Sequence, residues 1–239
     1  MRAAVTRSFS TLPIKRHHVA VILHGCGVYD GTEIHEATSM LIHLSKQKVK
    51  VSMFAPNVDQ MHVINHLKGE PMQPNRNVLV ESARLARGQI SALSELDVSQ
   101  FDALLIPGGF GAAKNLSNFA EKQASCAVIP LVESTLKKFH SAGKPIGLCC
   151  IAPVLAARCI PGVELTVGKD TDENGRWPSS GAAHAVKEMG SKHVNCDVDE
   201  ICVDEKNKIV STPAYMCGPA TVADVFDGIG KLVEAVIRL

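Results

Sequence analysis

Apolar and polar positions along this chain switch repeatedly between two periods. Residues 18–23 (HVAVIL) form a nearly unbroken apolar run, the pattern of a strand covered on both faces. Residues 33–46 change to helical spacing, with Ala37, Met40, Leu41 and Leu44 on one face. Residues 49–54 read as the next strand, ended by Ala55-Pro56-Asn57. Residues 57–77 are polar and irregular, with Gly69, Pro71 and Pro74, and read as an excursion from the core. Helical spacing returns over 78–96, with Arg84 and Arg87 on the polar face. A short buried strand over 103–106 then runs into Pro107-Gly108-Gly109.

The second half repeats the alternation. Residues 129–142 are helical and are stopped by Gly143-Lys144-Pro145. Pro145-Ile146 leads into Gly147-Leu148-Cys149-Cys150-Ile151-Ala152-Pro153, which reads as strand, tight turn and helix, the helix continuing over 154–158. Strand character resumes over 164–167. Residues 199–203 and 208–212 flank Glu205-Lys206-Asn207 as a hairpin. Residues 221–239 close the chain as an amphipathic helix with Val222, Val225, Phe226, Ile229, Val233 and Ile237 apolar. This alternation predicts an α/β fold: a mostly parallel sheet flanked by helices on both faces, with a C-terminal hairpin. Ligands of such sheets bind beyond the carboxyl ends of the strands. The elbow, the Pro107-Gly108-Gly109 turn and the loop over 25–31 all fall at such ends and converge on one rim.

A cysteine at the elbow points out of the sheet edge near the positive end of a helix, and both effects favour the nucleophilic thiolate. Pro153 suits the first helical turn, where its missing N–H is not needed. A buried structural thiol is the competing reading, because cysteine is common at such packing points. The glycines at 108 and 109 also carry two readings, a backbone able to approach a substrate oxygen or simply a tight turn.

Composition narrows the classes. The chain has 239 residues and is 46% hydrophobic, enough to bury one α/β core. Lys+Arg 25 against Asp+Glu 24 leaves a formal charge of +1, and aromatics are 4%. With no basic stripe and few stacking rings, nucleic acid is not an expected partner. No apolar run approaches the roughly 18 residues that span a bilayer, so membrane insertion is not expected. The eight cysteines contain no C-x-x-C pair and read as reduced thiols. Nothing in the sequence calls for a metal or an organic cofactor.

The amino terminus stands apart. It carries Arg2, Arg7, Lys15 and Arg16 with several Ser and Thr, and no acidic residue precedes Asp30. That is the signature of a mitochondrial transit peptide, and Arg7-Ser8-Phe9-Ser10 resembles a matrix-processing site. A disordered basic tail is the alternative for 1–17. The expected organisation is this segment followed by a single domain over 18–239, located in the mitochondrion, with the matrix as its compartment.

The rim loops carry a family resemblance. Ile106-Pro107-Gly108-Gly109-Phe110-Gly111, followed by Cys150-Ile151-Ala152-Pro153, resembles the class-I glutamine amidotransferase-like superfamily, with its flavodoxin-like sheet. Glu36 falls where the ThiJ/PfpI branch carries a glutamate on its first helix. The segment Gly25-Cys26-Gly27-Val28-Tyr29-Asp30-Gly31-Thr32-Glu33-Ile34-His35-Glu36 is close to the bacterial ElbB proteins and their mitochondrial relatives. So are Gly111-Ala112-Ala113-Lys114-Asn115-Leu116 and Thr212-Pro213-Ala214-Tyr215-Met216. The similarity runs from about residue 18 to the carboxyl terminus.

This resemblance implies Cys150 as the nucleophile, with Cys149 packed on the strand side, and the N–H groups near Gly109 and Ile151 as an oxyanion hole. It requires Glu36 to be buried with a raised pKa, so that it can donate a hydrogen bond to the sulfur. An exposed first-turn glutamate held by the helix dipole is the alternative. Glu33 could assist from one turn away. The histidine usual in this branch is missing, because 164–170 contains none, and a late His-x-Glu pair is absent too. Glutamine hydrolysis is therefore not expected. His24, His35 and His184 could reach the rim, and Asp170 and Asp172 are other polar candidates. Two functions follow: a cofactor-independent glyoxalase- or deglycase-like enzyme acting on small reactive carbonyls, or a non-catalytic mitochondrial binding or redox-sensing protein. A small aldehyde is the expected ligand of the first, and a homodimer is the assembly that the resemblance implies.

Overall fold

The computed structural model describes residues 17–239. The transit-peptide expectation lies outside them, apart from His17. Seven strands form the central sheet: β1 (His18–Ile22), β2 (Lys50–Ala55), β3 (Ile90–Ala92), β4 (Ala103–Ile106), β5 (Ile146–Cys149), β6 (Cys202–Asp204) and β7 (Ile209–Thr212). Their order is β6-β7-β5-β4-β1-β2-β3, parallel throughout except for the β6–β7 hairpin. The unbroken apolar runs become the centre. Val19, Ala20, Val21 and Ile22 of β1 and Leu104, Leu105 and Ile106 of β4 are fully buried, as strands with helices on both faces must be.

Among the described residues eight helices surround the sheet: α1 (Ile34–Lys46), α2 (Val78–Leu85), α3 (Phe110–Lys114), α4 (Phe119–Lys122), α5 (Pro130–Ser141), α6 (Pro153–Cys159), α7 (Gly181–Glu188) and α8 (Val222–Arg238). Helix α1 packs on α8, which also covers β7 and β5, while α5 packs on α6 and α6 on α7. Helix α8 starts at a capping box in which Thr221 and Asp224 exchange side chain-to-backbone hydrogen bonds. The predicted hairpin turns through Asp204, whose carboxylate accepts the Asn207 N–H at 3.0 Å and Nδ2 at 2.7 Å. The chain leaves β1 toward β2 and leaves β4 toward β5, so the sheet switches direction between β1 and β4. Their carboxyl ends are where this topology opens a crevice.

Two expectations need correction. The continuous helix over 78–96 ends at Leu85. Arg87 (φ 51°) and Gly88 (φ 80°) break it, and Ile90–Ala92 becomes the edge strand β3. Helical spacing persisted there because a half-buried edge strand followed by a short 3₁₀ turn leaves apolar residues three and four apart. The strand over 164–167 shortens to Glu164–Leu165, which pairs with Lys192–His193 in a separate two-stranded sheet. The excursion over 57–77 holds a small ribbon, Ile64–Asn65 against Glu70–Pro71, anchored where the buried Asp30 carboxylate accepts the Ile64 N–H at 2.6 Å.

Candidate active site

The site is assembled from the ends of β1, β4 and β5. The strand β5 stops at Cys149, and Cys150 takes φ 59°, the left-handed region that a non-glycine residue adopts only under local strain. Its N–H donates to the Thr212 carbonyl at 3.0 Å, which ties the turn to β7. Ala152 and Pro153 then begin α6, so the bend projects the Cys150 side chain above the sheet. Cys150 is 8% exposed and lines a cavity of about 380 Å³, whereas Cys149 is wholly buried beneath it.

Glu36 lies on the first turn of α1, below the cavity, and is wholly buried. Its Oε2 accepts the Gly108 N–H at 2.8 Å and the Cys149 thiol at 3.4 Å, and Oε1 accepts the Tyr215 N–H at 3.4 Å. Burial, followed by the nearby negative Glu33, pushes its pKa up to about 7. The exposed, dipole-held glutamate is thereby excluded. Glu33 caps α1, accepting the Glu36 N–H at 2.7 Å, and it also lines the cavity. Gly108 is required by crowding: a Cβ there would lie 2.4 Å from Cys150 Cβ and 2.6 Å from Glu36 Oε2. Gly109 has φ 103°, and a Cβ on it would meet the Gly31 carbonyl at 2.4 Å. Both glycines therefore do more than turn the chain.

The expected thiolate at the helix end does not survive in this setting. Burial, then the negative charge of Glu36, raises the Cys150 thiol well above its ordinary value. The N–H groups of Gly109 and Ile151 hydrogen-bond the sulfur and pull the other way. The helix following Cys150 is short, so its end contributes less than the loss of solvation. At rest the pair is a thiol beside a carboxyl that titrates near neutrality.

The rim histidines stay off the cavity wall. His24 is fully buried, donates Nε2–H to the Pro107 carbonyl at 3.0 Å, and is lowered to about 4 by burial. His35 pairs through Nδ1 with the Tyr215 hydroxyl at 2.8 Å, and His184 donates to the Asp170 carbonyl at 3.0 Å. Asp170 is engaged by Lys187 at 2.6 Å, and Asp172 accepts the Trp177 N–H at 2.8 Å. Tyr215, by contrast, went unassigned in the sequence, although its motif was visible there. The far wall, from α4 and α7, was missed as well. Small residues such as Gly181 and Ala182 form it, and their only signal is the apolar spacing of a short helix.

Together the switch-point crevice, the elbow cysteine and the buried first-helix carboxyl define the class, an amidotransferase-like α/β protein. No family model matches the chain. A rat protein named ES1 protein homolog, mitochondrial, is 55% identical over 239 residues, covering 100% of this chain and 88% of its own. A human relative, glutamine amidotransferase-like class 1 domain-containing protein 3, mitochondrial, is 55% identical over 230 residues, with 96% and 85% covered. Among solved structures, an isoprenoid biosynthesis protein with an amidotransferase-like domain from Ehrlichia chaffeensis shares 37% identity and a TM-score of 0.83. That match covers 93% of this chain and 98% of the other. ThiJ/PfpI and DJ-1 superfamily structures at 13% and 19% identity share the fold alone. The chain belongs to the mitochondrial ES1 family of glutamine amidotransferase-like proteins. It is accordingly a mitochondrial protein. Among the described residues, no helix is long and apolar enough to cross a membrane.

Proposed function

We propose that this protein is a cofactor-independent, cysteine-dependent enzyme of the glyoxalase or deglycase kind, acting on reactive carbonyl compounds in the mitochondrial matrix. One observation carries the reading. Cys150 is the cysteine on the wall of the cavity, and a buried carboxyl with a pKa of about 7 sits directly beneath it. A general acid–base group works best when its pKa lies near the working pH.

For a 2-oxoaldehyde the chemistry balances without an external oxidant. The sulfur bonds to the aldehyde carbon, the C=O π pair moves to oxygen, and Glu36 takes the thiol proton and returns one to that oxygen. The Gly109 and Ile151 N–H groups, which hydrogen-bond the sulfur at rest, stabilise the oxygen in this reading as it gains charge. Glu36 then moves the C–H proton from the first carbon to the second by way of an enediol, while the hydroxyl proton of the first carbon passes to the oxygen of the second. The first carbon is oxidised to a thioester and the second is reduced to an alcohol. Water cleaves the thioester, releasing a 2-hydroxy acid and the thiol. A redox-sensing role is less well supported, since sensor cysteines are exposed and of low pKa, and Cys150 is neither.

The test is turnover of methylglyoxal to lactate by the purified chain, beside Cys150→Ser and Glu36→Gln. Loss of turnover in both variants is expected. Turnover that survives Cys150→Ser overturns the assignment.

A further inference from the structure

The cavity above Cys150 is larger and more apolar than a three-carbon dicarbonyl requires. Its volume of about 380 Å³ equals roughly a dozen waters at about 30 Å³ each. Its wall is mainly apolar, with Phe110 and Ala113 of α3, Phe119 of α4, Ala182 of α7, Ile151 and Met216 among the residues that form it. Among the described residues no lysine or arginine lies on that wall, and the acidic side chain there is Glu33. Lys114 sits 5.0 Å from the Phe110 ring centroid but directs its ammonium to the Tyr29 carbonyl at 2.9 Å. The polar side chains Gln123, Ser179 and Tyr215 on this wall are neutral, so a carboxylate or phosphate meets no cationic partner among the described residues, and Glu33 repels one.

Resting on the catalytic reading above, we infer that the substrates are uncharged 2-oxoaldehydes bearing an apolar substituent of about the size of a phenyl ring. Phosphorylated and carboxylated carbonyls are disfavoured. The substituent lies between Phe110, Phe119 and Met216 while the aldehyde carbon reaches the Cys150 sulfur. Preference arises because apolar surface leaves water along a preformed wall.

The experiment compares kcat/KM of the full chain for phenylglyoxal, methylglyoxal and 4,5-dioxopentanoate, a 2-oxoaldehyde that carries a carboxylate. Phenylglyoxal should exceed methylglyoxal by at least about tenfold, with the carboxylated compound lowest. Ala120 is a half-buried residue of the same wall, so Ala120→Phe narrows the cavity without entering the sheet. It should reduce the phenylglyoxal-to-methylglyoxal ratio by about tenfold or more. A second readout needs no turnover. Acetophenone should protect Cys150 from iodoacetamide at lower concentration than acetone or pyruvate. Turnover without the phenyl preference, or a ratio that Ala120→Phe leaves unmoved, overturns this inference and leaves the catalytic reading standing. Protection by acetophenone without turnover of any carbonyl overturns the catalytic reading and supports the pocket's preference. Equal protection by all three ketones removes the preference itself.

Discussion

Glu36 Oε2 accepts the Cys149 thiol at 3.4 Å, so the carboxyl beneath the elbow serves two adjacent cysteines rather than one. Both sulfur contacts, and the Gly108 N–H at 2.8 Å, lower the Glu36 pKa against the larger effect of burial. In the proposed mechanism Cys149 is thus a positioning residue for Glu36, the acid–base group. Cys149→Ala should raise the Glu36 pKa further and move the acidic limb of a kcat/KM pH profile to higher pH. An unmoved limb in the folded variant would show that the contact does not tune Glu36.

Glu36→Gln separates charge from catalysis. The negative carboxylate is the second cause of the high Cys150 pKa, after burial. Removing it should lower the thiol pKa, read as alkylation at Cys150 becoming faster at pH 8, while carbonyl turnover falls by about 10²-fold or more. Slower alkylation in the variant would contradict the electrostatic account.

The same group makes stability depend on pH. Its native pKa is raised from 4.5 to about 7, so the folded chain holds this proton more tightly than the unfolded one. The resulting stability is complete below about 4.5 and declines as pH climbs through 7, by roughly 3 kcal/mol for a fully buried group. Denaturant unfolding at pH 5 and pH 8 should show this decline in the wild type and a smaller one in Glu36→Gln.

His24 acts in the opposite direction. Burial lowers it from 6.5 to about 4, and its Nδ1 has no hydrogen-bond partner to receive a second proton's N–H. Stability from this group is complete above 6.5 and is lost as pH falls through 4. The wild type should lose stability between pH 6.5 and 4 more steeply than His24→Gln. Parallel losses in the two proteins would assign the acid limb to other groups.

Gly108→Ala tests the packing of the site. The added methyl would fall 2.4 Å from Cys150 Cβ and 2.6 Å from Glu36 Oε2, so one of them must move. Displacement near an ångström should cost about 10²-fold in turnover. The far-ultraviolet circular dichroism spectrum should stay that of the wild type, because Gly108 lies in the loop after β4 and the strand itself is untouched. Full activity in this variant would mean that the pair is not held in a working geometry.

Local pattern was enough to reveal much of this architecture. The apolar runs of β1 and β4 are legible because strands buried on both faces tolerate no polar interruption. The C-terminal helix and the β6–β7 hairpin were legible for similar local reasons, amphipathic spacing and turn residues. Cys150 and Gly109 stood out because the elbow and the glycine turn impose their own residue types on short segments, whereas Glu36 was implied by the family resemblance alone. Local pattern failed where the partner decides the structure. Ile90–Ala92 is a strand because the edge of β2 offers hydrogen bonds, and residues 78–96 contain nothing that announces it. What only the tertiary structure decided is the state of the site: the burial that holds Glu36 near neutrality, the thiol form of Cys150, the Cys149 contact, and the apolar wall brought by α4 and α7. Each depends on which atoms distant segments place within a few ångströms of one another, and solvation and electrostatics are set at that range.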